Sequence, residues 1–265
     1  MRFQDFIWRP EDVVTHLRLQ EFTDEKCIFL KSDCLHENKQ IEWQGTKHPP
    51  LWPPKQRIWI SGRSDLEVND TLVALHTDNF DRWYGTNNES SDPRIISIPL
   101  GMQTNCRVDC IDIMADVVQE PKVEMNQVYM NFNIDTWIGE RFVTYHYLKD
   151  HPWVTYESHN QEYIQYCRQI RNSRFVVCPR GNGYDTHRLW ETLYLGSIPI
   201  VRNHATYNQF NELPIVQIHS WSDLSEDYLE MEYERIMSTE WNFEKLSMDY
   251  WSSQIRKGQI NDREN

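Results

Sequence analysis

"CPRGNGYDTHRLWE", residues 178–191, follows the apolar run Phe175–Cys178 and opens a helical pattern that stops at Gly196. A buried strand, a glycine loop, a capped helix start and a second apolar run at 198–201 make residues 175–201 one βαβ unit. Asp185 or Thr186 is the expected cap and Gly196 the expected residue just past the helix. The chain has only nine glycines and places Gly181 and Gly183 in this loop. There they let the backbone approach a ligand, while the free N–H groups of the following helix favour an anion. Arg180 in the loop and Arg188 in the first turn can add charge-assisted hydrogen bonds to a diphosphate. Glu191, three residues after Arg188 on the same face, repels phosphate but accepts from a ribose diol. Phosphate and ribose contacts one turn apart describe a nucleotide site. The plainer reading is a turn followed by a surface ion pair between Arg188 and Glu191.

Two other phosphate motifs fail on this stretch. A dinucleotide fingerprint needs a glycine where Thr186 stands and an acidic residue after the next strand, which ends in Val201-Arg202. A thiol phosphatase needs an arginine six positions after Cys178, where the chain has Tyr184.

Outward from the unit, short apolar runs at 27–30, 57–60, 81–84, 95–98, 128–132, 153–156, 175–178, 198–201 and 215–218 read as strands. Helical patterns near 138–149, 160–172, 187–195, 223–237 and 242–256 lie among them. The alternation predicts an α/β fold with parallel sheets. A polar stretch near 116–127 divides about four strands from five, so the expected domains are 1–120 and 121–265, with a cleft between them. Ligands of such sheets bind beyond the carboxyl ends of the strands.

A formal charge of −13 excludes a generic basic footprint for nucleic acid or anionic membrane, so any anionic ligand must be held locally. No apolar stretch approaches the roughly 20 residues of a membrane span, and charges occupy the start "MRFQDFIWRPEDVV"; a soluble, cytoplasmic protein is expected. The cysteines at 27, 34, 106, 110, 167 and 178 form no CxxC pair and read as reduced structural thiols. The ten histidines show no HxH or HExxH spacing, so no metal site is expected.

"FVVCPRGNGYDTHRLWETLYLGSIPIV" resembles the C-terminal signature of exostosin-like glycosyltransferases, and "NELPIVQI" continues the likeness. "SGRSDLEV", "RWYGTN", "ISIPLGM" and "VYMNFNIDT" followed by "ER" are similar to segments of short bacterial and large-DNA-virus members, the chlorella-virus capsid-glycan xylosyltransferase among them. The likeness is dense over 128–218, patchy over 57–110 and missing over the first 50 residues. It implies a GT-B fold: two Rossmann-like halves facing a cleft, the donor on the C-terminal one, and C-terminal helices packing back. It also implies an inverting transfer from a nucleotide-sugar, expected to be a UDP-sugar, to a glycan hydroxyl, with host cytoplasm as the location for a virus-encoded member.

By motif position, the resemblance puts Thr186 and Arg188 on the diphosphate, Glu191 on the ribose and Arg141 as a second cation near the phosphates. It implies Asp65, in "RIWISGRSD", as the base, with Asp78 as runner-up; Arg63 stands where the family pattern has histidine, and an Arg63–Asp65 ion pair would lower the basicity of Asp65. No Asp-x-Asp is present, so metal independence is expected, with Arg180, Arg188, Arg141 and the helix dipole in place of a cation. His187 is a candidate phosphate contact; Asn131, Asn133 and Thr136 are candidates for the donor pocket, and Trp83 or Trp137 for stacking on a sugar. The competing functional class is a non-catalytic nucleotide- or glycan-binding module of the same fold. A sulfotransferase would need an N-terminal phosphate loop, which "FIWRPEDVV" is not.

Overall fold

A computed structural model describes residues 1–35, 41–43, 46–48, 55–103 and 109–260. The apolar runs pair into two wholly parallel sheets. In the first half, helix α1 (His16–Gln20) precedes strand β1 (Cys27–Lys31), the hairpin strands β2 (Ile41–Trp43) and β3 (Thr46–His48), and β4 (Ile58–Gly62). Helix α2 (Asp70–Leu75), β5 (Arg82–Gly85), β6 (Ile95–Ser97) and α3 (Cys110–Gln119) complete it. The second half alternates: β7 (Asn126–Met130), α4 (Ile138–Leu148), β8 (Val154–Tyr156), α5 (Tyr163–Arg171), β9 (Ser173–Val177), α6 (His187–Tyr194), β10 (Ile198–Arg202) and β11 (Val216–Ile218). Helices α7 (Glu226–Ser238) and α8 (Met248–Ile260) close the chain. All nine sequence-read strands are present to within two or three residues at their ends. The stretch read as polar from 116 is helical as far as Gln119.

The strand orders are β1-β4-β5-β6 and β11-β10-β9-β7-β8. Strands covered on both faces lose the alternation of an exposed sheet. Accordingly every residue of Ile58–Gly62 is buried, as are Phe175–Val177 and Ile198–Val201. In the second sheet the chain moves from β7 outward to β8, then returns to place β9 on the other side of β7. That reversal makes a crevice outside the carboxyl ends of β7 and β9, the place where open α/β sheets bind ligands.

The two ends of the chain exchange sides. The first residues lie on the second half: Phe6 stacks on Phe243 at 4.3 Å and the Trp8 indole donates to Tyr194 O at 2.6 Å. Conversely α8 packs back on the first sheet, with Trp251 edge-on to Tyr84 at 6.3 Å; a Cβ added at Gly258 would meet Ile58 Cδ1 at 3.0 Å. One apolar cluster therefore runs through both sheets, from Ile58, Ile60 and Tyr84 to Val128, Tyr129 and Phe175. A second, around Trp59, Phe80 and Trp83, lies with α2 at the far side of the first sheet.

Candidate functional site

A cavity of about 450 Å³ occupies the predicted crevice. Asn131, Thr136 and Arg141, all following β7, and residues 181–183, 185–188 and 191, following β9, form one wall. Arg63, Ser64 and Asp65 after β4, with Leu100 and Gln103 after β6, face them from the first half.

The two walls are fixed to each other by a buried pair of side chains. Asn87, two residues past β5 and at φ 50°, accepts from the Asp185 N–H at 2.7 Å and donates to Ser64 O at 3.3 Å. Asparagine tolerates this left-handed conformation better than most residues. The Asp185 carboxylate accepts from Leu100 N at 2.8 Å and from the Trp190 indole at 2.6 Å. Burial pushes its pKa up from 3.8 to about 7, against those bonds. Asp185 is thus a bridge between halves; Thr186 is the N-cap residue, and its side chain makes no capping bond. The glycine reading changes as well. A Cβ at Gly183 would lie 3.0 Å from both Asn87 side-chain polar atoms and 3.1 Å from Asp65 O, so the close approach served there is to the opposite half. Gly181 donates to Gly183 O at 3.0 Å, and a Cβ on it would lie 3.4 Å from Arg141 Nη2.

Two guanidinium groups dominate the floor. Arg141, 9% exposed, donates from Nε to Arg180 O and from Nη1 to Asn133 O, both at 2.8 Å. Burial and then the Arg188 charge pull its pKa from 12.5 down to about 10. Arg188 lies 5.2 Å from the Tyr166 ring, and its Nη1 is buried with no hydrogen-bond partner. Arg188 in the first turn of α6, with an unmet donor, and Arg141 from α4 are an arrangement that can receive an anion with several oxygens. Glu191, 4% exposed, accepts from the Tyr163 hydroxyl at 3.1 Å and the Tyr166 hydroxyl at 3.0 Å. These bonds occupy one position on each oxygen and leave acceptor capacity toward the cavity. They also replace the Arg188–Glu191 surface pair with a buried, tyrosine-held carboxylate.

His187 donates from Nδ1 to Gly101 O at 2.6 Å, since a carbonyl can only accept, and its other ring edge lines the cavity. Asp65 is exposed at the cavity mouth, where Asn182 Nδ2 donates to its Oδ2 at 3.4 Å. Arg63, at φ 54°, makes no salt bridge with Asp65.

Other expected residues fall elsewhere. Asp78 precedes β5, beside Arg94 at the amino ends of the strands, and the structure does not bring it to the cavity. The Arg180 side chain does not line the cavity: it stacks over Trp137 at 4.3 Å and Tyr184 at 3.7 Å and donates to Gly181 O at 3.2 Å and Asn182 O at 2.6 Å. Its carbonyl, like that of Asn133, holds Arg141 instead. Asn131 lines the cavity while donating to Ser158 O at 2.8 Å. Trp83 is buried against Trp59 and Phe80, its indole donating to Ser61 Oγ at 2.7 Å, so it is core and not a sugar platform. Trp137 is exposed outside the cavity.

Asn87, Tyr163, Tyr166, His16 and His159 were not singled out from the sequence, although each lies in or against the site. Only Asn87 carried a usable signal, an asparagine just past a strand end. Cys178 is buried, and burial pushes its thiol up to about 12, which removes it as a nucleophile. Cys106 lies outside the described residues; Cys27, Cys110 and Cys167 are buried. Among the described residues no group of three or more His, Cys, Asp or Glu could hold a metal ion, and no helix is long and apolar enough to cross a membrane.

Residues 139–258 match the family model for the RXYLT1 C-terminal domain. The matched segment runs from α4 into α8, short of half the chain, and contains Arg141 and the whole of 178–191. It supports a glycosyltransferase family. No curated protein matches the chain.

Proposed function

We propose that the chain is an inverting glycosyltransferase of GT-B architecture that moves a sugar from a UDP-sugar to a hydroxyl of a glycan acceptor. The observation that carries this reading is the buried, unpartnered Arg188 Nη1 beside the desolvated Arg141 at the start of α6. Such a pair is costly when empty and is neutralised by a diphosphate. Thr186, whose hydroxyl is not used for capping, and Arg188 meet the diphosphate with Arg141, and Glu191 accepts from the ribose. The acceptor oxygen attacks the anomeric carbon as the bond to the diphosphate breaks, so configuration inverts. Asp65 takes the acceptor proton, and the cations and the α6 dipole stabilise the leaving UDP without a metal ion. Xylose is the proposed sugar, because the matching family is xylosyltransferase-related.

The second reading is a nucleotide-binding module without the base. It is favoured by one observation: Asp65 is exposed and held only at 3.4 Å by Asn182. Release of free UDP from UDP-xylose, with and without a xyloside or oligosaccharide acceptor, separates the two. A catalytic chain releases UDP and loses most of that activity as Asp65→Asn; a binding module releases none in either form.

A further inference from the structure

The first residue of α6 is a histidine whose ring is oriented from behind. His187 Nδ1 donates to Gly101 O at 2.6 Å. That carbonyl is itself fixed from both sides: Leu100 N donates to the Asp185 carboxylate at 2.8 Å, and Met102 N donates to Val14 O at 3.0 Å. Gly101 stands at φ 71°, where a Cβ would collide with Val14 O, so only glycine fits there. A carbonyl accepts and never donates, so the imidazole hydrogen is held at Nδ1. The Nε2 edge is left to line the cavity beside Arg188.

The consequence rests on the reading above, in which a diphosphate lies at the start of α6. Diphosphate oxygens only accept. Against them a neutral His187 presents the Nε2 lone pair, which repels, whereas a protonated one presents an N–H and makes a charge-assisted bond. The ligand therefore binds the protonated ring more tightly, and by reciprocity it brings a proton onto the protein. A bond from Nε2–H also gains strength as the sugar leaves, because the diphosphate then carries an additional charge.

Other charged and titratable groups face the same cavity. They are Arg141 on α4, Arg188 and Glu191 on α6, Asp185 before it, His16 on α1, His159 before α5, and Arg63 and Asp65 after β4. Tyr163 and Tyr166 stay protonated, because burial raises both hydroxyls. Asp185, which burial raises to about 7, is the chief rival for a proton taken up near neutral pH. Both its oxygens already accept, from Leu100 N and the Trp190 indole, and it has no N–H to offer a phosphate when ionised.

We propose that UDP binds with uptake of a proton at His187 Nε2, so that this histidine sets the pH range over which the donor site holds its ligand. The test is isothermal titration of UDP into the full chain in EDTA at pH 7.5, in Tris and in HEPES, whose protonation enthalpies differ, and then from pH 7 to 9. The terminal phosphate of free UDP is mostly ionised there, since a phosphate's second pKa is about 6. The expected uptake is about 0.4 proton or more per UDP at pH 7.5, the value for an imidazole raised by about one unit beside an anion. Affinity should fall at least about threefold from pH 7 to 9. His187→Gln, whose amide donates without taking up a proton, should lose most of the uptake and of the pH slope, while Asp185→Asn keeps both; circular dichroism confirms that each variant is folded. Binding heats that show no uptake in wild type overturn the proposal without any variant. So does an uptake that His187→Gln keeps by half or more, or that Asp185→Asn abolishes. Binding without uptake leaves the transferase reading standing, whereas a chain that binds no UDP at any of these pH values overturns that reading and this inference together.

Discussion

Replacing Arg188 with methionine should move stability and nucleotide affinity in opposite directions. In the empty protein the Arg188 Nη1 is buried without a partner, and its charge helps depress Arg141. An unmet buried donor costs about 1–3 kcal/mol, and methionine keeps much of the stem's volume without it. Against that gain stands the loss of the contact with the Tyr166 ring at 5.2 Å, worth about 0.5–1 kcal/mol. A net gain of about 1 kcal/mol remains, or roughly 2–4 °C in Tm for a chain of this size. UDP binding should lose two charge-assisted bonds at about 1.5–3 kcal/mol each, which weakens Kd by about 10²–10⁴-fold. Scanning calorimetry of the empty protein and isothermal titration with UDP measure both halves. A Tm several degrees lower, with affinity within threefold of wild type, would show that Arg188 is a structural cation and refute the reasoning.

Asp65→Asn should cut transfer by at least about 100-fold and leave UDP affinity within twofold, while Asp78→Asn changes neither; a radiolabelled-donor transfer assay reads both. Gly183→Ala puts a methyl 3.0 Å from Asn87 and should cost about 1–3 kcal/mol in urea unfolding. The Asp185 pKa stands near 7 in the folded chain against 3.8 unfolded, so the folded state binds the extra proton between those values. Its contribution to stability is therefore full below about pH 4 and is lost as pH rises through 7, by up to about 4 kcal/mol. Asp185→Asn should be less stable by about 1–3 kcal/mol at low pH, because its amide N–H₂ faces Leu100 N or the Trp190 indole, and should lack that slope. Urea unfolding of both proteins from pH 4.5 to 7.5 checks the difference.

The βαβ unit around residue 178 was legible because most of its parts have a local cause: β-branched residues for β9, a polar glycine loop, and Gly196 at φ 76° past α6; the expected side-chain cap is absent. The parallel sheets followed from spacing alone. Helix α3 escaped, although Cys110, Met114 and Val117 form a buried stripe at helical spacing, because its polar residues blend into the connector after Gln119. The exchange of the chain ends had no signal in either segment, since Phe6 meets Phe243 only once both halves exist.

At the site, sequence gave residue types near the right place but not their directions. Arg188 and Arg141 converge on the cavity because they leave β9 and β7, which the sheet order makes neighbours. Arg180, next to Gly181, is held outside the cavity by the Trp137 and Tyr184 ring faces and by the carbonyls of Gly181 and Asn182. A glycine announces close approach without saying to what, and for Gly183 the answer is Asn87, nearly a hundred residues away in the chain.

Isothermal titration of UDP into the wild-type chain in EDTA is the most direct test of the central proposal that the diphosphate is held without a metal ion. Saturable binding tighter than about 100 µM, unchanged by adding Mg²⁺ or Mn²⁺, is the expected result. Heat that appears only when a divalent cation is supplied would contradict it.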